Sequence, residues 1–141
     1  MRPPIEQPFR TGFAGLIGIE LQALTEEEVR VTFAVREELK QPAGLVDGGV
    51  YATVAENICS VATWWAQREQ GLTAMGLSNH TSFLRPVTAG AVEAQARARH
   101  RGRTTWVWEV DFLDDLGRVC ALSRVTVAVR DPAGGPAAQP R

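Results

Sequence analysis

Residues 41–67, QPAGLVDGGVYATVAENICSVATWWAQ, limit this chain more than any other stretch. After the Gly48-Gly49 pair the sequence runs to Gln67 without Gly or Pro, the residues least tolerated inside a helix. Val50, Val54, Ile58, Val61 and Trp65 recur at three- and four-residue steps, which predicts one face of a helix, with Glu56, Ser60, Thr63 and Gln67 on another. Asp47 stands where an N-cap belongs, its carboxylate placed to accept from the free N–H groups of the first turn. The segments on either side read as strands. A single long helix among strands must bury its apolar face on the sheet they make. Glu56 then lies mid-helix in a largely apolar setting, where a carboxylate is costly without partners or a task.

Strands are expected at 19–24 and 29–35, separated by a charged turn at 25–28. Further strands are expected at 72–84, interrupted near Gly76, and at 91–100, 104–113 and 118–130. Residues 1–16 are expected to be a lead-in, loose over 1–8, with room for a short helix at 9–17. Residues 17–130 form the domain, and the tail 131–141, DPAGGPAAQPR, is expected to be disordered. The fold class is α+β: one long central helix on a five- to six-stranded antiparallel sheet. The helix covers only one face, so an edge or a helix surface is expected to pair with a second copy.

With 15 basic and 16 acidic side chains, the net charge of −1 speaks against nucleic acid or an anionic membrane as the main partner. No signal-like start and no membrane-length apolar run are present, which places the chain in the cytoplasm by expectation. Cys59 and Cys120 lack metal-ligand spacing and read as small core residues, and His80 has no Cys or His partner, so no metal is expected. Ser60 has no Gly-x-Ser-x-Gly elbow or adjacent His, which argues against a serine hydrolase.

A loop, a Gly-Gly pair, a helix with an acid eight positions after the first Gly, and then four strands resemble the hot-dog-fold acyl-CoA thioesterases. Three stretches carry the likeness: 44–63 around GGVYATVAE, 76–87 as GLSNHTSFLRPV, and 104–130 as TTWVWEVDFLDDLGRVCALSRVTVAVR. Residues 78–87 are the more specific part and resemble the Arthrobacter-type 4-hydroxybenzoyl-CoA thioesterase branch. The resemblance implies hydrolysis of an aryl-CoA thioester to free acid and CoA, with CoA part of the substrate and no separate cofactor. In it Glu56 matches the carboxylate that attacks the carbonyl or activates water, and the Gly48 N–H matches the donor that polarises the carbonyl. Gln41 matches a side chain reaching the reacting group. Ser60 falls where the family carries Thr. Arg85, Arg103 and Thr104 match positions facing the nucleotide and phosphates of CoA, although the family residue matching Arg103 is Ser. Arg101, across Gly102 from Arg103, is a further phosphate candidate.

One helix cannot present both groups to one thioester. Gly48 and Glu56 are eight residues apart, about 12 Å along the axis. The carboxylate and the N–H donor are therefore expected from different subunits of a homodimer with shared active sites, which the branch pairs further into a homotetramer. Asp47 departs from the His usual before the Gly pair. A carboxylate there caps the helix but opposes the developing oxyanion, so Asp47→His is expected to preserve or raise turnover.

Plainer readings stand beside these. Glu56 can be a structural carboxylate paired with an Arg across an interface. Arg85, Arg101 and Arg103 can be solvated charges, and Asn79 and His80 satisfied polar residues. Trp64, Trp65, Trp106 and Trp108 read as core and interface mass, with one or two lining an acyl pocket. A different class of function is a non-catalytic acyl-CoA-binding module silenced at Asp47. A hot-dog hydratase would want an Asp–His pair in one loop, which is absent.

Overall fold

The structure, a computed structural model, describes residues 5–133. Six strands, β1 (Glu20–Leu24), β2 (Glu28–Ala34), β3 (Thr73–Phe83), β4 (Ala91–Arg101), β5 (Thr105–Leu113) and β6 (Val119–Arg130), form one antiparallel sheet in the order β1-β2-β4-β5-β6-β3. Alternation creates its inner face: Trp106, Trp108, Val110 and Phe112 of β5 and Val29, Val31 and Phe33 of β2 are buried, while their sequence neighbours are less so. Across that face lies helix α3 (Gly48–Gln67), mainly over β3 and β6. The α+β architecture expected from the sequence is the one observed.

The buried stripe of α3 is Tyr51, Val54, Ala55, Ile58, Cys59, Ala62 and Thr63, so the helix is rotated from the expected face. Val50 and Val61 lie at its margins. Small residues let the helix approach the sheet, a role that counting large apolar side chains overlooks. Thr63, expected on the polar face, is fully buried; its hydroxyl donates to the Cys59 carbonyl at 2.8 Å and accepts from Trp108 Nε1 at 2.9 Å. Thr63→Val keeps the shape and orphans the indole N–H. It is expected to cost about 1–3 kcal/mol in urea unfolding, the range for an unpaired buried donor, and an unchanged midpoint would contradict this.

The N-terminal lead-in holds the short helix expected within 9–17 and another beginning at Gln7, where a loose chain was expected. Helices α1 (Gln7–Arg10) and α2 (Gly12–Ile17) bury Phe9, Ala14 and Ile17, and Arg36 ties them down by donating to the carbonyls of Leu16 and Ile17. The expected tail at 134–141 lies outside the described residues. At its far end α3 runs into a 3-10 turn, Arg68–Gln70, closed by Gly71 at φ 70°. Cys59 and Cys120 are free and buried, as the sequence indicates. No helix among the described residues is long and apolar enough to cross a membrane.

Strand β3 ends the sheet. Its register shifts between Gly76 and Ser78, where the break was expected, and Met75 through His80 are exposed along the free edge.

Candidate active site

The start of α3 forms one wall of a cleft of about 430 Å³ bounded by Gln41, Gly48, Tyr51, Phe83, Arg85 and Pro86. Asp47 Oδ1 accepts from the Gly49 N–H at 2.8 Å, the N-cap bond its position predicts. No protein acceptor for the Gly48 N–H is found among the described residues. Glycine lets the Phe83 ring lie close to the backbone here, since a Cβ at Gly48 would stand 2.8 Å from that ring. Gln41 lines the cleft with its side-chain oxygen bonded to the Ala43 N–H, so its loop is internally braced.

Below the cleft, the Tyr51 ring packs against Phe112, Phe83 and Phe33 at centroid distances of 5.1, 6.2 and 6.3 Å. Its hydroxyl is buried without a hydrogen-bond partner among the described residues. Burial first, and the Cys120 thiol second, push the phenol well above its ordinary pKa, so it stays protonated.

Glu56 stands two turns further along. It is half-buried rather than enclosed, and Ser60 Oγ donates to its Oε1 at 2.8 Å. The carboxylate lies over Gly76 of β3, where a Cβ would come within 2.7 Å of Oε1. Among the described residues Glu56 makes no ion pair. Between the two stations, Asn79 Nδ2 donates to the Ala52 carbonyl at 2.8 Å. Thr81 donates to Asn79 Oδ1 at 2.7 Å and lies 2.7 Å from Ser123 Oγ. This chain of bonds fixes the edge strand to the helix.

The arginines divide in the same way. Arg85 borders the cleft at the Phe83 end of β3. Arg103 and Thr104 lie in the β4–β5 turn, and the Thr104 carbonyl accepts from Arg130, which pairs with Thr73 at the other end of β3. The ten steps of strand between those ends span about 33 Å. Arg101, at the end of β4, is held by Glu27 at 3.1 Å and Glu26 at 3.9 Å. The predicted residues thus fall into three stations: Gln41, Asp47, Gly48 and Arg85; Glu56 and Ser60; Arg101, Arg103 and Thr104. No group of three or more metal-ligating side chains occurs among the described residues.

The family model of the thioesterase superfamily matches residues 43–121, the segment holding both stations of α3 and the edge strand. The chain belongs to the thioesterase superfamily. It is a thioester hydrolase with the hot-dog fold. The solved structure of a thioesterase from Haemophilus influenzae is 32% identical, with a TM-score of 0.84 and 93% of each chain covered. A 1,4-dihydroxy-2-naphthoyl-CoA hydrolase of Listeria monocytogenes is 33% identical over 119 residues, covering 84% of this chain and 96% of the relative. The hydrolase of the same name from Escherichia coli is 31% identical over 82% of this chain and 84% of its own length.

In this thioesterase two residues matter that sequence reasoning did not single out for the site. Gly76 makes room for the Glu56 carboxylate; a glycine inside a strand was the available signal, read only as a break. Asn79 sets the gap between strand and helix, and nothing in a single sequence reveals its acceptor. The cap at Asp47 separates two effects. Asp47→Ala is expected to lose about 1 kcal/mol of stability, whereas Asp47→Asn keeps a cap while removing the charge. Urea midpoints for the two variants, read beside their rates of thiol release, test this; equal destabilisation by both would show that the carboxylate charge, not the cap, is what matters.

Proposed function

We propose that this thioesterase hydrolyses aromatic acyl-CoA esters, 4-hydroxybenzoyl-like or larger, to the free acid and CoA, with no further cofactor. The carrying observation is that the Glu56 carboxylate, anchored by Ser60, stands over Gly76 on an unpaired sheet edge. Edge strands with exposed N–H and C=O groups pair readily, and antiparallel β3–β3 pairing about a two-fold axis would close this sheet with a second copy. In such a dimer a register pairing Gly76 with the partner's Phe83 brings the Phe83 end of one protomer beside the Thr73 end of its partner. The N–H of the partner's Gly48, which lies against Phe83, would then face Glu56, which lies over Gly76, across a space for one thioester. Arg85 of one chain approaches Arg103 and Thr104 of the other, where the phosphates of CoA would lie, with Arg101 flanking them. Two such dimers pairing as a homotetramer is the assembly implied by the branch it resembles.

In this reading Glu56 adds to the carbonyl carbon or takes a proton from the water that does. Negative charge grows on the carbonyl oxygen and is met by an unoccupied helix N-terminal N–H, an interaction of about 3 kcal/mol when preorganised. Gln41 borders the same space, and Asp47 fixes the helix start that aims the donor. The groups separated along one chain would meet in such a dimer, which is the argument for a shared site. The names of the Listeria and Escherichia relatives favour a fused-ring acyl group as a second reading. Thiol release from benzoyl-, 4-hydroxybenzoyl-, 1,4-dihydroxy-2-naphthoyl- and decanoyl-CoA tests both. Preference for the aromatic esters is expected, and selective cleavage of decanoyl-CoA would refute it.

A further inference from the structure

We infer that Asn79 is a positioning residue for Glu56, acting through the carbonyl of Ala52 and held in turn by Thr81 and Ser123. Asn79 and Thr81 of β3 stand opposite Val125 and Ser123 of β6, on the sheet face that buries Val125 and Val127. Alternation calls for apolar side chains at such positions, and a polar one there is costly without a partner or a task. Ser123 is buried, and its hydroxyl lies 2.7 Å from that of Thr81. None of the three takes part in the chemistry assigned to Glu56 and Gly48.

The hydrogen bonds among them run in one direction. Asn79 Oδ1 can only accept, so the single hydroxyl proton of Thr81 points to it at 2.7 Å, and Ser123 is the donor in its contact with Thr81. The Ala52 carbonyl also can only accept, so the Asn79 amide nitrogen faces it, at 2.8 Å. Both neighbours select the same orientation of the amide, and bonds aligned in this way strengthen one another. Ala52 lies four residues before Glu56 in α3, so the carbonyl that accepts from Asn79 also accepts from the backbone N–H of Glu56. Three residues before Asn79, Gly76 leaves the space over which the Glu56 carboxylate lies. Strand β3 therefore meets the Glu56 turn twice, once as room and once as a tie. In the shared site proposed above, on which this step rests, the partner's Gly48 is carried against the end of the other β3. The distance from carboxylate to N–H donor is then set through two paired edge strands. The Asn79 bond fixes α3 to that edge at the turn holding the carboxylate, where a misplacement of about 1 Å costs on the order of a hundredfold in rate.

The test uses the full-length protein and thiol release from 4-hydroxybenzoyl-CoA and 1,4-dihydroxy-2-naphthoyl-CoA, whichever is cleaved faster. Asn79→Leu keeps the size of the side chain and removes both donor and acceptor. It is expected to lower kcat about tenfold or more with KM within about twofold of the parent, at a temperature where its unfolding curve shows it folded. Thr81→Val is expected to lower kcat in the same way and Thr81→Ser to restore it, so the outcome does not depend on one variant folding. Adding Asn79→Leu to Glu56→Gln is expected to slow the residual reaction by less than about twofold, because the tie acts through the carboxylate. A parent-like kcat in both Asn79→Leu and Thr81→Val would overturn the assignment, and so would an undiminished further loss in the Glu56→Gln background. Activity regained on raising the protein concentration would also overturn it, since the substitution would then have weakened the pairing of edges instead. Glu56→Gln alone separates the two readings. Undiminished turnover there sinks the role of the carboxylate itself, whereas a loss there beside a parent-like Asn79→Leu sinks only the positioning role.

Discussion

Glu56→Gln is expected to fold as the parent does and to lose about a thousandfold in turnover, within the range for removal of a positioned acid–base group. The exchange is nearly isosteric. Its amide oxygen can still accept from Ser60 Oγ, now at 2.8 Å from the carboxylate, and Gly76 leaves room for either head group. Only the ability to attack a carbonyl or to accept a proton is removed. Thiol release, measured beside a urea unfolding curve, checks the prediction. A variant of unchanged stability that kept more than about a tenth of the parent rate would show that the chemistry runs elsewhere. Ser60→Ala leaves the carboxylate and removes its anchor, so its loss is expected to be smaller and to show in kcat more than in KM.

The Glu56–Ser60 pair was legible because a four-residue step on a helix has one geometric meaning, and the hydrogen bond found between them is that meaning realised. The start of α3 was legible for a similar reason: Asp47 before Gly48-Gly49 is a local signal, read by the backbone itself. Strand limits came within a residue or two because alternation at β2 and β5 reflects burial on one side only. The face of α3 was not legible. Ala55, Cys59, Ala62 and Thr63 face the sheet because close packing needs small side chains, while a hydrophobicity pattern follows large ones. The short helices at the N-terminus were obscured by their glycines, and Gly15 is needed because a Cβ there would stand 2.5 Å from the Arg10 carbonyl oxygen. Neither the tie from Asn79 to Ala52 nor the distance between Arg85 and the β4–β5 turn can be read from spacing, since both depend on which strands become neighbours.

Mixing two inactive variants is expected to restore activity, an outcome a site contained in one chain cannot produce. Glu56→Gln lacks the carboxylate. Gly48→Pro lacks the N–H donor, and proline is tolerated at the first position of a helix, where that N–H has no intrahelical partner. The pyrrolidine must displace the Phe83 ring, which lies 2.8 Å from the place of a Cβ at Gly48; Phe83 is 59% exposed and free to swing outward. Loss of the donor alone is expected to cost about a hundredfold or more in turnover. In a mixed dimer one site pairs the intact Glu56 of the proline variant with the intact Gly48 of the glutamine variant, while the second site carries both defects. Random reassortment makes half of the dimers mixed, so recovery to about a quarter of the parent rate is expected after co-refolding. No recovery, from variants shown by unfolding curves to be folded and by sedimentation to have exchanged partners, would place both groups in a single protomer. The separation of about 12 Å along α3 would then need a substrate bound lengthwise on one helix, with its carbonyl polarised by some donor other than Gly48.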